Sequence, residues 1–208
     1  LGRYREYLTF AGEYAGKRIV VSSHGVGAAG ACICFEELFQ SGVRTAIRVG
    51  TCAALADPIE DGEIVIATGS IRQEGMTAEL IPLNYPAIAD RHIVDSLEAS
   101  AAKHGVKTYT GLVLTEPTLY PGLLKLPYEM WISAGALCVE MEMSALLVVA
   151  GLHGCRAGGI LASDRNLGRI LKSEQALDPS AYNPHKAVVA QGKEKMIDVA
   201  LDAIVSLP

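Results

Sequence analysis

The sequence predicts an α/β protein: one domain of three layers, with a mostly parallel mixed central sheet flanked by helices. Two observations lead there. Strand-like and helix-like segments alternate along the chain. Its 208 residues, half of them hydrophobic and 20% charged, suit one domain with a sizeable core.

The elements follow in order. Lys17–Ser23 (KRIVVSS) is a short β-branched run and reads as a strand. Ala29–Gln40 is helical in character and stops before Ser41-Gly42. Val43–Val49 is the second strand, and Glu63–Thr68 the third, entered through the turn signal Asp61-Gly62. Asp90–His104 places Ile93, Val94, Leu97, Ala101 and Ala102 at the spacing of an amphipathic helix that ends at Gly105. Lys107–Leu114 is the fourth strand, and Pro127–Ala134 and Glu142–His153 read as helices. The glycine-rich run Arg156–Ala162 is a further strand, and Ala187–Ser206 closes the chain as a helix. Arg72–Ala87, Thr115–Pro127 and Ser163–Pro184 read as irregular. Loops at the carboxyl ends of strands are where such folds place ligands. Residues 1–208 are taken as one domain. The first residue, Leu1, is not Met, so sequence upstream is expected.

Composition excludes several classes. A mean hydropathy of +0.27 is opposite to that of a disordered chain. No apolar stretch approaches the roughly 18 residues of a membrane span, and no signal-peptide core opens the chain. A formal net charge of -5 without a basic cluster argues against nucleic-acid binding. Five cysteines without a CxxC pair, and five histidines without HxxxH or HExxH, predict reduced thiols and no metal site. A cytoplasmic location is the expectation.

Four motifs carry chemistry. Gly25-Val26-Gly27-Ala28-Ala29-Gly30 matches G-x-G-x-x-G between a strand and a helix. The acid that would hold a dinucleotide's ribose is missing, since the next strand ends Arg48-Val49-Gly50-Thr51. Tight strand-to-helix packing is the plainer reading. Arg48, Gly50 and Thr51 offer a guanidinium, an N–H and a hydroxyl to one small anion such as phosphate, or Arg48 pairs with a carboxylate. Cys52 beside them reads as packing. Glu140 and Glu142 in Val139–Ser144 are two carboxylates at a strand-to-helix transition, able to grip a vicinal diol. For Glu142 a place in a helix's first turn is the alternative. Asp164, in Ser163-Asp164-Arg165-Asn166, is placed for general acid chemistry or for capping a turn. His24 could hydrogen-bond in a site, though a structural histidine is the plainer reading.

Taken together, these segments resemble the nucleoside phosphorylase family, which contains uridine phosphorylases and hexameric purine nucleoside phosphorylases. The stretches that carry the resemblance are SHGVGAAGACICFEEL (23–38), RTAIRVGTCAAL (44–55), DGEIVIATGSIRQEG (61–75), PLNYPAIAD (82–90), TLYPG (118–122), VEMEMSAL (139–146) and GGILASDR (158–165). The resemblance implies a nucleoside phosphorylase-like fold and a pentosyltransferase. Such an enzyme splits a ribonucleoside with inorganic phosphate, as co-substrate, into free base and ribose 1-phosphate. No cofactor and no metal are implied. Arg48, Thr51 and Arg5 fall to phosphate, with Arg5 shared across a dimer interface of a homo-oligomer. Glu142, Met141 and Glu140 fall to the ribose as diol ligand, apolar floor and support. Leu119, Tyr120, Cys52 and Arg165 fall to the base, with Asp164 and Arg165 the catalytic pair.

The chain departs from the family pattern in two places. The family's N-terminal phosphate-binding segment is absent. The Gln-x-Arg that reads uracil is not found either, Gly122 being followed by Leu123-Leu124-Lys125: either the short loop to Trp131 is incomplete in this chain or the uracil reader is missing. Arg165 and TLYPG favour uridine as substrate, while Asp164 resembles the purine enzymes' proton donor and keeps inosine or guanosine as the alternative. Three further readings stand behind these: a non-catalytic nucleoside-binding relative, a phosphate-independent nucleosidase, and a dinucleotide-dependent oxidoreductase. The phosphate arginines and the missing ribose acid weigh against them.

Overall fold

The computed structural model describes residues 2–120, 122–173 and 183–207. The N-terminus forms a three-stranded antiparallel meander of β1 (Gly2–Tyr4), β2 (Tyr7–Tyr14) and β3 (Lys17–Ser22). Next come α1 (Ala28–Gln40), β4 (Thr45–Ala54), β5 (Ile64–Arg72), α2 (Met76–Leu80), β6 (Ala87–Ile88), α3 (Arg91–Lys103) and β7 (Thr108–Thr115). Then follow α4 (Tyr128–Ser133), β8 (Cys138–Glu140), α5 (Met143–Leu152), β9 (Arg156–Asn166), α6 (Leu167–Lys172) and α7 (Ala187–Ser206).

The central sheet runs β6-β5-β7-β8-β4-β9, and β9 also pairs antiparallel with β5. Five strands therefore close into a barrel-like ring with β6 attached outside. The long ladders β4–β9 and β5–β7 are parallel, while β4–β8, β5–β9 and β5–β6 are antiparallel. The α/β prediction of a mixed sheet flanked by helices holds, and the closure is what the alternating pattern does not express. Helices α1, α2 and α5 cover one side, and α3 and α7 the other.

Local chemistry explains most boundaries. Asp90 caps α3 by accepting from the His92 and Ile93 amides, so the helix starts one residue later than predicted. Helix α5 is buried along almost its whole length between α1 and the ring, which is why it is apolar all round. Strand β4 runs to Ala54, so Arg48 stands within the strand rather than at its end. Likewise β9 extends to Asn166, so Asp164 lies inside a strand. Of the stretches expected to be irregular, Arg72–Ala87 contains α2, and the last begins as strand and continues as α6. Residues 174–182 of it lie outside the described residues. The meander's first two strands, the two-residue β6 and the short β8 went unpredicted.

Candidate active site

Arg48 is the centre of a buried polar cluster at one mouth of the ring. It is 6% exposed, and two glutamates flank it, Glu140 at 4% and Glu142 at 5%. Its Nη2 donates to Glu142 Oε2 and lies 3.4 Å from Glu140 Oε2. Its Nε and Nη1 are buried without a partner. Burial works against the guanidinium's charge, but Glu140 and Glu142 outweigh it and hold the group above its usual value.

The local sequence makes this posture available. Gly50 is two residues on, on the same face of β4, and the Arg48 side chain lies across it. A Cβ at Gly50 would stand 2.5 Å from Arg48 Nη1. One glycine of the G-x-G motif serves the same cluster. Gly27 has φ 88°, where a side chain is disfavoured, and its N–H donates to Glu142 Oε1 at 2.5 Å. The loop that resembles a phosphate cradle thus meets a carboxylate here.

Glu140 ends β8 and is gripped from two sides. Its Oε2 accepts the Glu142 and Met143 amides, both at 2.8 Å, at the start of α5. Its Oε1 accepts the Thr115 hydroxyl. Burial pushes the Glu140 carboxyl up, opposed by Arg48 and by those donors. His24, just before the glycine loop, is tilted on Phe35 with ring centroids 5.5 Å apart. Burial and the nearby Arg48 charge lower its pKa.

The other predicted residues are distributed around this cluster. Thr51 and Cys52 follow Arg48 on β4, with Thr51 half-buried and Cys52 buried. Met141 is half-buried between the two glutamates. Asp164, 5% exposed, is the extra residue at a bulge in the β4–β9 ladder, where Cys52 faces Ser163 and Ala53 faces Arg165. Bulges beside active sites re-aim side chains. Arg165 is half-buried, and its charge acts on the Tyr128 hydroxyl, which donates to the buried Glu116 at 3.1 Å. Burial pushes the Glu116 carboxyl up.

Three predicted residues stay apart. Leu119 and Tyr120 are 43% and 61% exposed. Arg5 sits in the β1–β2 turn, with its Nε 3.2 Å from Glu37. Glu37 is ten residues along α1 from Gly27, about 15 Å at a helix's rise per residue. Arg5 therefore does not join the Arg48 cluster of its own chain. Sequence reasoning passed over Ser70, Glu74, Thr115 and Ser144, which extend the cluster behind Glu140. Among the described residues no group of three or more His, Cys, Asp or Glu side chains is placed to hold a metal, and no helix is long and apolar enough to cross a membrane. The five cysteines are free.

A ring of strands whose mouth holds one arginine between two glutamates defines a class that comparison with known proteins bears on directly. The sequence profile described as the phosphorylase superfamily matches residues 2–206, and the chain belongs to that family. It is 33% identical over 205 residues to a purine nucleoside phosphorylase of Plasmodium falciparum, covering 98% of this chain and 80% of that protein. It is 30% identical to a uridine phosphorylase of Haemophilus influenzae, covering 98% of this chain and 81% of that one. The solved structure of purine nucleoside phosphorylase from Toxoplasma gondii in complex with immucillin-H superposes with a TM-score of 0.90 at 28% identity, covering 99% of this chain and 81% of that one.

Proposed function

We propose that the chain is a nucleoside phosphorylase, a pentosyltransferase of nucleoside salvage. An oxygen of inorganic phosphate bonds to C1′ of a ribonucleoside as the N-glycosidic bond breaks, and the bonding pair leaves with the base. The products are free base and ribose 1-phosphate. The observation that carries the reading is Arg48. A buried guanidinium with two unpartnered N–H edges is expensive to maintain unless an anion completes it. Thr51, on the same strand, supplies a hydroxyl to that anion. Phosphate held there lies close to the ribosyl cation that develops as the bond breaks.

The remaining roles follow from position and family resemblance. Glu142 accepts the ribose 2′- and 3′-hydroxyls, Met141 forms the apolar floor, and Glu140 supports both. Arg165, Cys52, Leu119 and Tyr120 belong to the base side. Uridine is the first substrate choice, on Arg165 and the Thr118–Gly122 pattern. A specific observation favours a second choice, inosine or guanosine: Asp164 is buried, and a buried carboxyl is a suitable proton donor to a departing purine. No cofactor is needed for either reaction. The chain works in the cytoplasm as a homo-oligomer built from dimers, with the partner's Arg5 completing the phosphate site. The exposed position of Arg5 and the outward-facing Tyr4, Phe10, Val20 and Val21 of the same meander support that arrangement.

The test is release of uracil from uridine and hypoxanthine from inosine, each with and without phosphate. Phosphate-dependent release of either base is expected. Release without phosphate would make the chain a nucleosidase, and release of neither would make it a nucleoside-binding protein.

A further inference from the structure

Behind Glu140 lies a chain of hydroxyls whose bonding can be counted. Thr115 is fully buried at the carboxyl end of β7. A threonine hydroxyl has one proton and two lone pairs. The Ser144 N–H, 2.9 Å away, occupies one lone pair. An ionised Glu140 Oε1, 2.5 Å away, has no proton to give and takes the Thr115 proton. The Ser70 hydroxyl of β5, 2.6 Å away, then donates to the last lone pair. Every valence of Thr115 is used, so its O–H points one way.

Ser144 is held in turn. Its hydroxyl donates to Glu74 Oε1 at 2.9 Å, and Glu74 accepts the Thr77 amide at 2.9 Å and the Thr77 hydroxyl. The frame around Thr115 therefore draws on β5, β7, α2 and α5. Its output is one hydrogen bond to one oxygen of Glu140. The other oxygen of Glu140 contacts the amides that open α5 and stands beside Arg48.

Resting on the phosphorylase reading above, we propose that Thr115 is a positioning residue of the phosphorolytic site. Its hydroxyl, locked by Ser70 and Ser144, holds Glu140 as an oriented anion, and through Glu140 sets where the Arg48 guanidinium and the Glu142 carboxylate stand. Thr115 touches no substrate. The charged or titratable groups that act on Glu140 are Arg48 from β4, Cys138 from its own strand and Glu142 from the start of α5, while Cys52 of β4 acts on Cys138 and Arg48. His24 interacts with Arg48 and Glu142. Thr115 and Ser70 add hydrogen bonding without charge. Removing a donor from a carboxylate favours its protonated form, so the Glu140 pKa rises when the Thr115 hydroxyl is lost.

The experiment uses the full chain with its glutamate carboxyl carbons labelled for NMR, the Glu140 signal being assigned with Glu140→Gln. Thr115→Val keeps the shape and removes the hydroxyl, and Thr115→Ser restores it. In Thr115→Val the Glu140 titration midpoint moves to higher pH. The acid limb of kcat/KM for phosphorolysis moves the same way, and kcat/KM falls about tenfold to hundredfold, the worth of one hydrogen bond to a charged group. Thr115→Ser returns both pH readouts toward the original. An unmoved midpoint in Thr115→Val, or a Thr115→Ser protein that behaves like the valine variant, overturns the proposal. Should Thr115→Val fail to fold, Ser70→Ala decides: it shifts the midpoint in the same direction by less, and no shift refutes the relay. An unaltered protein without turnover sinks the phosphorylase reading, while the carboxyl titration still decides whether Thr115 governs Glu140.

Discussion

At the ring mouth Arg48, Glu140 and Glu142 are each under a tenth exposed. In the β1–β3 meander Arg5 lies at the surface against Glu37, and Phe10, Val20 and Val21 are half exposed or more. Both regions carry an arginine that the proposed function gives to phosphate, yet they treat it in opposite ways. The ring fixes its arginine with carboxylates, a glycine floor and a hydroxyl frame. The meander leaves its arginine on a face that the described residues leave exposed. A buried arginine is positioned by its own fold, and an exposed one acquires a fixed place only against another surface. On the proposed reading, the difference divides the site into a part each chain assembles alone, around Arg48, and a part, Arg5, that a partner chain would bring into place.

The largest effect that can break this comparison is expected from Arg48→Met. Two buried carboxylates lose their counter-charge, a change that costs about 3–5 kcal/mol when one partner of a buried pair is removed. Thermal unfolding should fall by roughly 6–20 °C for a domain of this size, and phosphate-dependent base release should vanish. An unchanged melting temperature would mean that the buried triad does not organise the mouth.

Arg5→Ala should act only on turnover. Its melting temperature should stay unchanged, because an exposed ion pair contributes little to stability, while phosphorolysis falls about tenfold or more through loss of a charged contact. Mixing Arg5→Ala subunits with Glu142→Gln subunits should restore one working site per mixed dimer. Mixtures no more active than their components would place Arg5 outside the site.

Gly50→Ala comes next. The added methyl displaces the Arg48 guanidinium, so the KM for phosphate should rise about tenfold, while overpacking costs about 1–3 kcal/mol. A phosphate KM that does not move would separate Arg48 from phosphate.

The smallest effect concerns His24. Burial and Arg48 lower its pKa from 6.5. A lowered group is neutral in the fold and charges more readily in the unfolded chain. Its contribution to stability is therefore full above about pH 6.5 and is lost as pH falls. Glu140, raised by burial, has the opposite sign and loses its contribution as pH rises. Comparing urea unfolding of His24→Gln with the unaltered protein between pH 5 and 8 isolates the histidine. The variant should lose less stability on acidification, and identical slopes would remove His24 from the cluster's electrostatics.

Much of this molecule was legible in its sequence where periodicity and punctuation coincide. Helices α1, α3 and α7 lie within one residue of their predicted bounds because each has an apolar repeat or a capping residue. Strands β1 and β2 were not, since most of their residues stay exposed and leave no apolar alternation to read. At three residues β8 is too short for any period. Ring closure rests on the β5–β9 ladder, which joins residues roughly a hundred positions apart, a distance no local pattern spans. In the site, Arg48, Glu140 and Glu142 stood out as charges in apolar runs. Their convergence, and the alternative pairing of Arg48 with a carboxylate, became visible only in three dimensions. Thr115, Ser70 and Ser144 gave no signal, because an uncharged hydroxyl in a strand or helix is common and its partners come from other elements.

Strand β9 lies against β4 along one edge and β5 along the other. It behaves as the keystone of an arch. An open sheet can tolerate a slipped outer strand by sacrificing one ladder, whereas a slip of β9 by a single position would break two ladders and turn Asp164 and Arg165 to the opposite faces. Insertions and deletions in the descendants of this chain should therefore collect in its loops and spare this strand's length, so that the spacing between Arg156 and Asn166 behaves as a fixed ruler for the chemistry at its end.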